Sequence, residues 1–323
     1  MLSQPSQGGI PVKYLVTGGA GFIGSHIVEA LLREGFFVRV LDNFSTGSVA
    51  NLRHCREDVE LIVGDVRDLA TVQKAVRGMD FVLHQAALPS VPRSVANPRE
   101  SNDNNVTGTL NVLVAAREAG VRRVIYASSS SVYGETPQLP KEESMQPLPL
   151  SPYAVSKYTG ELYCRVFYTL YGLETISLRY FNVFGPRQNP DSQYAPVIPK
   201  FVTAMLEDRS PVIFGDGLQS RDFTYIDNVV KANLLACRAK KTAGEAVNIA
   251  CGMQINLNQV VAELNRLLGK NIPAIYSEPR PGDVKHSYAD ISRACELLNY
   301  RPETSFRQGL EYTVQWFRQQ LKL

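Results

Sequence analysis

The sequence predicts an α/β fold, a doubly wound parallel sheet followed by a smaller C-terminal α/β substrate domain. Three observations carry that prediction. Short apolar runs alternate with segments of helical period through the first half of the chain. Glycines cluster between the first apolar run and the first helical segment. From about residue 181 the chain is richer in Pro and Gly and its periodic segments shorten. Strands interleaved with helices mean βαβ units, hence parallel strands with helices on both faces. The expected division is a flexible tail over 1–10, a first domain over 11–180 and a second over 181–323, with interleaving of the two allowed for.

Residues 12–17 (VKYLVT) read as the first strand. Residues 22–33 (FIGSHIVEALLR) follow with apolar residues at helical spacing, and Gly35 can end that helix. Strands are expected over 38–42, 60–63 and 81–85, with a helix over 69–77 for which Asp68 is the N-cap candidate. Residues 106–119 read as a long helix and 124–128 as the fifth strand. Five prolines between Pro137 and Pro152 mark a long irregular connection. The next helix begins near Tyr153, with Pro152 suited to its first turn.

Bulk properties exclude several function classes. Lys and Arg number 34 against 31 acidic residues, a formal charge of +3, and no basic run is present. That balance argues against a nucleic-acid or membrane surface. No apolar stretch approaches the length of a membrane span. The start, MLSQPSQGG, has neither a basic region nor an apolar core, so it is expected to be a tail and not a signal peptide. The five cysteines are scattered and never spaced C-x-x-C, which fits a reducing cytoplasm and argues against a disulfide framework or structural zinc. The four histidines form no metal-ligand spacing, so no metal is expected.

TGGAGFIG, residues 17–24, places Gly18, Gly21 and Gly24 in the spacing G-x-x-G-x-x-G. Gly18 permits a tight turn out of the strand, Gly21 lets backbone approach a diphosphate, and Gly24 lets the next helix pack close. No Lys follows, which excludes a Walker A loop. Asp42, ending the second strand, stands where a ribose-hydroxyl acceptor belongs in a Rossmann-type dinucleotide site. A carboxylate there repels a 2′-phosphate, and the residues after it offer no Arg to bind one, so NAD is favoured over NADP. Asp65, after the third strand, can meet the adenine edge or simply order the turn before the next helix.

Tyr153 and Lys157 stand one helical turn apart in YAVSK and can touch. Four serines, Ser128 to Ser131, follow the fifth strand. A free phenol has a pKa near ~10. A nearby ammonium and a positive nicotinamide ring favour the phenolate and lower that value. A serine hydroxyl can then bridge the substrate oxygen and the Tyr oxygen and pass the proton.

With these motifs, and with HQAA (84–87), SSSSVYG (128–134), RYFNVFG (179–185), SRDFTYID (220–227) and RPGD (280–283), the chain resembles the extended short-chain dehydrogenase/reductase family over nearly its full length. It is most similar there to nucleotide-sugar C4-epimerases acting on UDP-sugars. The resemblance implies Ser129 as the catalytic Ser, Tyr153 as the base and Lys157 as its partner, with tightly bound, recycled NAD. It extends the cofactor-binding set to Phe22, Ile23, Asn43, Ser45, Thr46, Gly47, Val66, Gln85, Ala86, Ala87, Asn105 and Tyr180. It assigns to the UDP-sugar Ser129, Ser131, Asn182, Val197, Phe201, Phe214, Arg221, Arg280, Asp283 and Ser287. Arginines suit the diphosphate because a guanidinium fork binds paired oxygens. Relatives that dehydrate carry Asp-Glu after the catalytic hydroxyl residue, and those that decarboxylate carry Glu; here Ser130 and Ser131 stand there, which points to plain epimerisation. Ser287, aligned with a bulky Tyr of galactose-type epimerases, leaves room for an N-acetyl group. Pro89 replaces a Lys of that type, which removes a phosphate contact expected of this loop. The implied substrates are UDP-GlcNAc/UDP-GalNAc, with UDP-Glc/UDP-Gal also turned over. The rivals are a UDP-glucuronate 4-epimerase and a non-catalytic NAD-binding sensor or scaffold. The resemblance also implies a homodimer, formed through a four-helix bundle of the helices near 103–119 and 153–171. No role beyond satisfying backbone is expected of Ser128.

Overall fold

The computed structural model describes residues 12–190, 196–279 and 285–321. The expected tail over 1–10 lies outside them, as do Arg280 and Asp283.

The strands in chain order are β1 Lys13–Thr17, β2 Phe37–Asp42, β3 Val59–Val63, β4 Phe81–His84, β5 Arg123–Ser129, β6 Glu174–Tyr180, β7 Val183–Phe184, β8 Val212–Phe214, β9 Ser220–Arg221, β10 Thr224–Tyr225, β11 Glu245–Ile249, β12 Ile255–Asn256, β13 Ile275–Ser277 and β14 His286–Ser287. The helices are α1 Phe22–Arg33, α2 Leu69–Val76, α3 Val91–Ala96, α4 Pro98–Asn102, α5 Gly108–Glu118, α6 Pro152–Tyr171, α7 Val197–Leu206, α8 Ile226–Arg238, α9 Leu257–Leu268, α10 Ser292–Leu298 and α11 Phe306–Leu321.

Seven parallel strands make the central sheet, in the order β3-β2-β1-β4-β5-β6-β11. Their apolar runs are buried on both faces: Leu15, Val16, Val40, Leu41, Val82, Leu83 and Ile125 have no exposed surface. Helices α1 and α8 cover one face and α2, α5 and α6 the other, each side forming its own apolar cluster. Strand order reverses between β1 and β4, and the crevice at such a reversal is where α/β sheets bind ligands. The sheet's last strand, β11, comes from beyond residue 181, so the later segment enters the earlier segment's sheet. The remaining short strands pair in three small sheets, β10-β7, β12-β9-β14 and β13-β8, beside the strand ends.

Local chemistry sets the helix starts. Asp68 caps α2, its carboxylate accepting from the Ala70 amide. Ser151 caps α6, with Pro152 next and Gly172 closing the far end at φ +70°. The long helix expected over 106–119 differs: it starts at Pro98, capped by Asn97, and passes through a π-helical turn over Asp103–Thr107 before α5. NPRESNDNN carries no apolar period, so its helix is set by the cap and by packing on α6. Among the described residues no helix is long and apolar enough to cross a membrane.

Candidate active site

Gly18 turns out of β1 at φ +67°, and a Cβ there would lie 2.7 Å from the Ala86 amide nitrogen. A Cβ on Gly24 would lie 2.1 Å from the Gly18 carbonyl oxygen. Glycine is therefore required at both points, one for the turn and one for the close approach of α1 to the loop. No side chain caps α1, which leaves its first-turn amides available to an anion. Asp42 is 7% exposed; its Oδ2 accepts from the Ala20 amide at 2.9 Å and its Oδ1 from the Phe44 amide at 2.7 Å. Burial raises its pKa and the two amides oppose the rise. The carboxylate locks the loop to the end of β2 and keeps lone pairs for ribose hydroxyls. Cradle and acid together fit the adenosine diphosphate half of NAD.

Ser129 ends β5 beside Tyr180 of β6. Its Oγ accepts from the Ser131 amide at 3.2 Å, capping the 3₁₀ turn Ser130–Tyr133, and Ser129 faces the Tyr153 phenol closely enough to lower its pKa. The Tyr153 amide donates to Ser94 Oγ at 3.0 Å, which fixes the start of α6 against α3. One turn on, Lys157 Nζ donates to the Ala127 carbonyl at 2.7 Å and lies 5.9 Å from the Tyr153 ring centroid. Here the electrostatics differ from the sequence expectation. Burial raises the Tyr153 phenol, opposed by the facing Ser129, and burial lowers Lys157 to about 7. A dry pocket favours both neutral forms. The phenolate therefore depends on further positive charge, such as that of the nicotinamide ring expected from the sequence.

Two cavities open at the carboxyl ends of the strands. One, of about 910 Å³, is lined by Gly18, Gly21, Phe22, Ile23, Gly24, Asp42, Asn43, Ser45, Thr46, Gly47, Val66, Gln85, Ala86, Ala87, Tyr153, Lys157 and Tyr180, all from the expected cofactor set. The other, of about 900 Å³, is lined by Ser129, Asn182, Val197, Phe201, Phe214 and Arg221 from the expected substrate set. Phe22, Ile23, Ser128, Tyr153 and Tyr180 line both, so the Ser129–Tyr153 pair sits where the cavities meet.

Four expected site residues are placed otherwise. The Asp65 carboxylate accepts from Arg67 Nη2 and Asn43 Nδ2, each at 2.8 Å, and the Arg67 hydrogen bond holds it near about 2. It orders its own turn, while Gly64 and Val66 line the cavity. Asn105 is 1% exposed and spends its amide inward, on both backbone groups of Leu88 and on Ser156 Oγ. The π turn presents Asn104 to the cavity in its stead. Ser131 Oγ is buried without a hydrogen-bond partner among the described residues, whereas Ser130 lines the substrate cavity. Ser287 pairs with Arg221 across β14 and β9 but is not among the lining residues described.

Other residues escaped the sequence reading. Asn233 on α8 donates to the Tyr180 hydroxyl at 2.9 Å, and Gln85 Nε2 donates to that hydroxyl at 3.2 Å and to Asn233 Oδ1 at 3.1 Å. An Asn on the buried face of an amphipathic helix was the available signal. Asp222, fully buried, accepts from the amides of Cys251, Gly252, Met253 and Ala289, and burial raises it to about 6. It gathers three segments beside Arg221. His84 is buried between the hydroxyls of Thr17 and Thr109 at 2.7 and 3.0 Å, a packing role.

Comparison with known proteins agrees with this geometry. The family model described as NAD dependent epimerase/dehydratase matches residues 14–250. A UDP-N-acetylglucosamine 4-epimerase from Methanobrevibacter ruminantium, solved with UDP-N-acetylmuramic acid, superimposes with a TM-score of 0.92 at 44% identity, covering 96% of this chain and 99% of that one. A UDP-glucose 4-epimerase from Thermotoga maritima, solved with UDP-glucose, gives 0.91 at 38% identity over 96% and 100%. A UDP-glucuronate 4-epimerase of Thermodesulfobacterium geofontis is 37% identical over 96% of this chain and 97% of its own.

Proposed function

We propose a function from the premise that the chain belongs to the NAD dependent epimerase/dehydratase family. It is an NAD-dependent UDP-sugar 4-epimerase, an isomerase. The finer reading is interconversion of UDP-GlcNAc and UDP-GalNAc, with UDP-Glc and UDP-Gal also accepted. The observation that carries the reaction is the junction of the two cavities at the Ser129–Tyr153 pair.

NAD, when bound, supplies reversible hydride acceptance at the sugar C4. The chain's own residues do the rest. Gly18, Gly21 and Asp42 would hold the adenosine diphosphate half, and Lys157 and Tyr180, which line the same cavity, would lie toward its reacting end. Tyr153, through Ser129, takes the proton of the 4-hydroxyl and later returns it. Arg221 and Asn182 bind the UDP portion, and the substrate cavity of about 900 Å³ gives the sugar room to present either face. Ser130 and Ser131 supply no acid or base for elimination, which leaves epimerisation as the outcome.

The acetylated substrate is supported by the likeness to a UDP-N-acetylglucosamine 4-epimerase. A uronate substrate is the second reading, favoured by the glucuronate-epimerase relative at 37% identity. Separate incubation with UDP-GlcNAc, UDP-Glc and UDP-GlcA, without added NAD, tests both. UDP-GalNAc should form; conversion of UDP-GlcA alone overturns the acetylated reading. We also propose a homodimer formed through α6 and the helix running from α4 into α5, supported by an exposed apolar stripe along α6.

A further inference from the structure

We propose that Glu161 is a positioning residue that sets Ser129 against Tyr153, acting through Ser128 and Arg179; the inference rests on the epimerase reading of this site. Tyr153, Lys157 and Glu161 stand on three successive turns of α6, facing the ends of β5 and β6. Lys157 Nζ donates to the carbonyl of Ala127 at 2.7 Å. Glu161 Oε1 accepts from Ser128 Oγ at 2.5 Å. The helix thus grips the two residues just before Ser129.

Glu161 also reaches the neighbouring strand. Arg179 donates from Nε to Oε1 at 2.9 Å and from Nη2 to Oε2 at 2.7 Å, a two-pronged pair. Arg179 stands opposite Ser128 in the sheet register, one residue from the Ser129–Tyr180 pairing at the cavities. Its guanidinium lies 4.7 Å from the Tyr133 ring centroid, and Tyr133 Oη donates to Asn248 Oδ1 at 2.7 Å. Tyr133 closes the 3₁₀ turn that follows Ser129. The carboxylate therefore holds Ser129 from both sides, by Ser128 before it and by the Arg179–Tyr133 stack after it.

Stability alone does not account for this cluster. Ser128, Glu161 and Arg179 are 3, 6 and 3% exposed, and the cost of desolvating a buried ion pair commonly offsets its attraction. What such a pair can supply is a single geometry. The proton relay between Ser129 and Tyr153 requires one, because a shift of about 1 Å in a reacting group can cost on the order of a hundredfold in rate.

The test compares the full-length enzyme with Ser128→Ala, Ser128→Thr and Glu161→Leu/Arg179→Met. The double variant replaces the pair by apolar groups of similar size, so it avoids stranding a buried charge. Turnover of UDP-GlcNAc and UDP-Glc is measured together with KM, Tm and amide hydrogen exchange over 128–133. For Ser128→Ala and the double variant, kcat should fall by about ten- to a hundredfold with KM within about twofold of the parent. Ser128→Thr, which keeps the hydroxyl, should recover most of the rate. Exchange over 128–133 should quicken in the two deficient variants. A parent inactive on every UDP-sugar would overturn the functional reading, and exchange would still decide the clamp. An active parent matched in kcat by Ser128→Ala, or exchange unchanged in both deficient variants, would overturn the positioning role.

Discussion

At the scale of single residues, burial disfavours the charged forms of both Tyr153 and Lys157. Tyr153→Phe removes the proton relay but keeps the ring that walls both cavities. Turnover should drop by roughly 10²–10⁴-fold, the usual worth of a general acid–base group, while the protein still carries NAD. A non-catalytic scaffold would show no turnover in either protein, and undiminished turnover in that variant would remove Tyr153 from the role of base. Lys157 gives a second prediction, in stability. Its folded pKa is lowered to about 7 from 10.5, so between those values the unfolded chain binds more protons. Stability therefore rises with pH through that window, and the penalty of burying the charge is fully present below pH 7. Lys157→Met should abolish turnover and raise Tm, with the gain largest near pH 6 and fading toward pH 10. Thermal melts at several pH values check the sign; a gain that grows with pH would contradict it. These residues were legible because a turn-spaced Tyr and Lys follow a serine run. Glu161 and Arg179 were not, because they are 33 and 51 positions from Ser128 and only the fold brings the three together.

At the scale of elements, the strands and caps were readable because each depends on a few adjacent residues: the apolar run of β5, the Asp68 cap, the Ser151–Pro152 start of α6. The segment before α5 was misread for the opposite reason. Its polar residues turn inward to neighbours distant in sequence, as Asn105 does to Leu88 and Ser156. Its π turn decides which Asn reaches the cavity, and π turns concentrate at functional sites. The outer side of α6 carries a prediction of its own. Val155, Leu162, Val166 and Leu170 are 49, 46, 44 and 67% exposed at spacings of seven, four and four. Such an apolar stripe is unfavourable in water and suits the helix-pair seam of the proposed dimer. Light scattering should find a dimer, and Leu162→Glu with Val166→Glu should yield monomers that melt at lower temperature. A parent that is monomeric at micromolar concentration would remove the proposed interface.

At the scale of the whole molecule, the two expected domains share one sheet. The glycine loop, Asp42 and Tyr153 all precede residue 181, and that made the cofactor half readable as a unit. Yet β11 closes the sheet against β6, α8 covers the face beside α1, and Asn233 of α8 holds the Tyr180 hydroxyl in the cofactor cavity. Composition could not reveal this, because Pro and Gly content reports the loops of the later segment and not the partners of its strands. The consequence is a test of independence. A chain ending at residue 180 would leave β6 without its β11 partner and strip α8 from α1, which it packs against in the intact protein. Bare apolar strand edges associate with one another. Residues 11–180 alone should therefore aggregate or stay partly unfolded, with NAD affinity lowered by at least tenfold, whereas extending the chain to include α8 and β11 should restore soluble, NAD-binding protein. A soluble 11–180 fragment with the parent's NAD affinity would show that the cofactor half folds by itself, and that the late strand serves the substrate cavity alone.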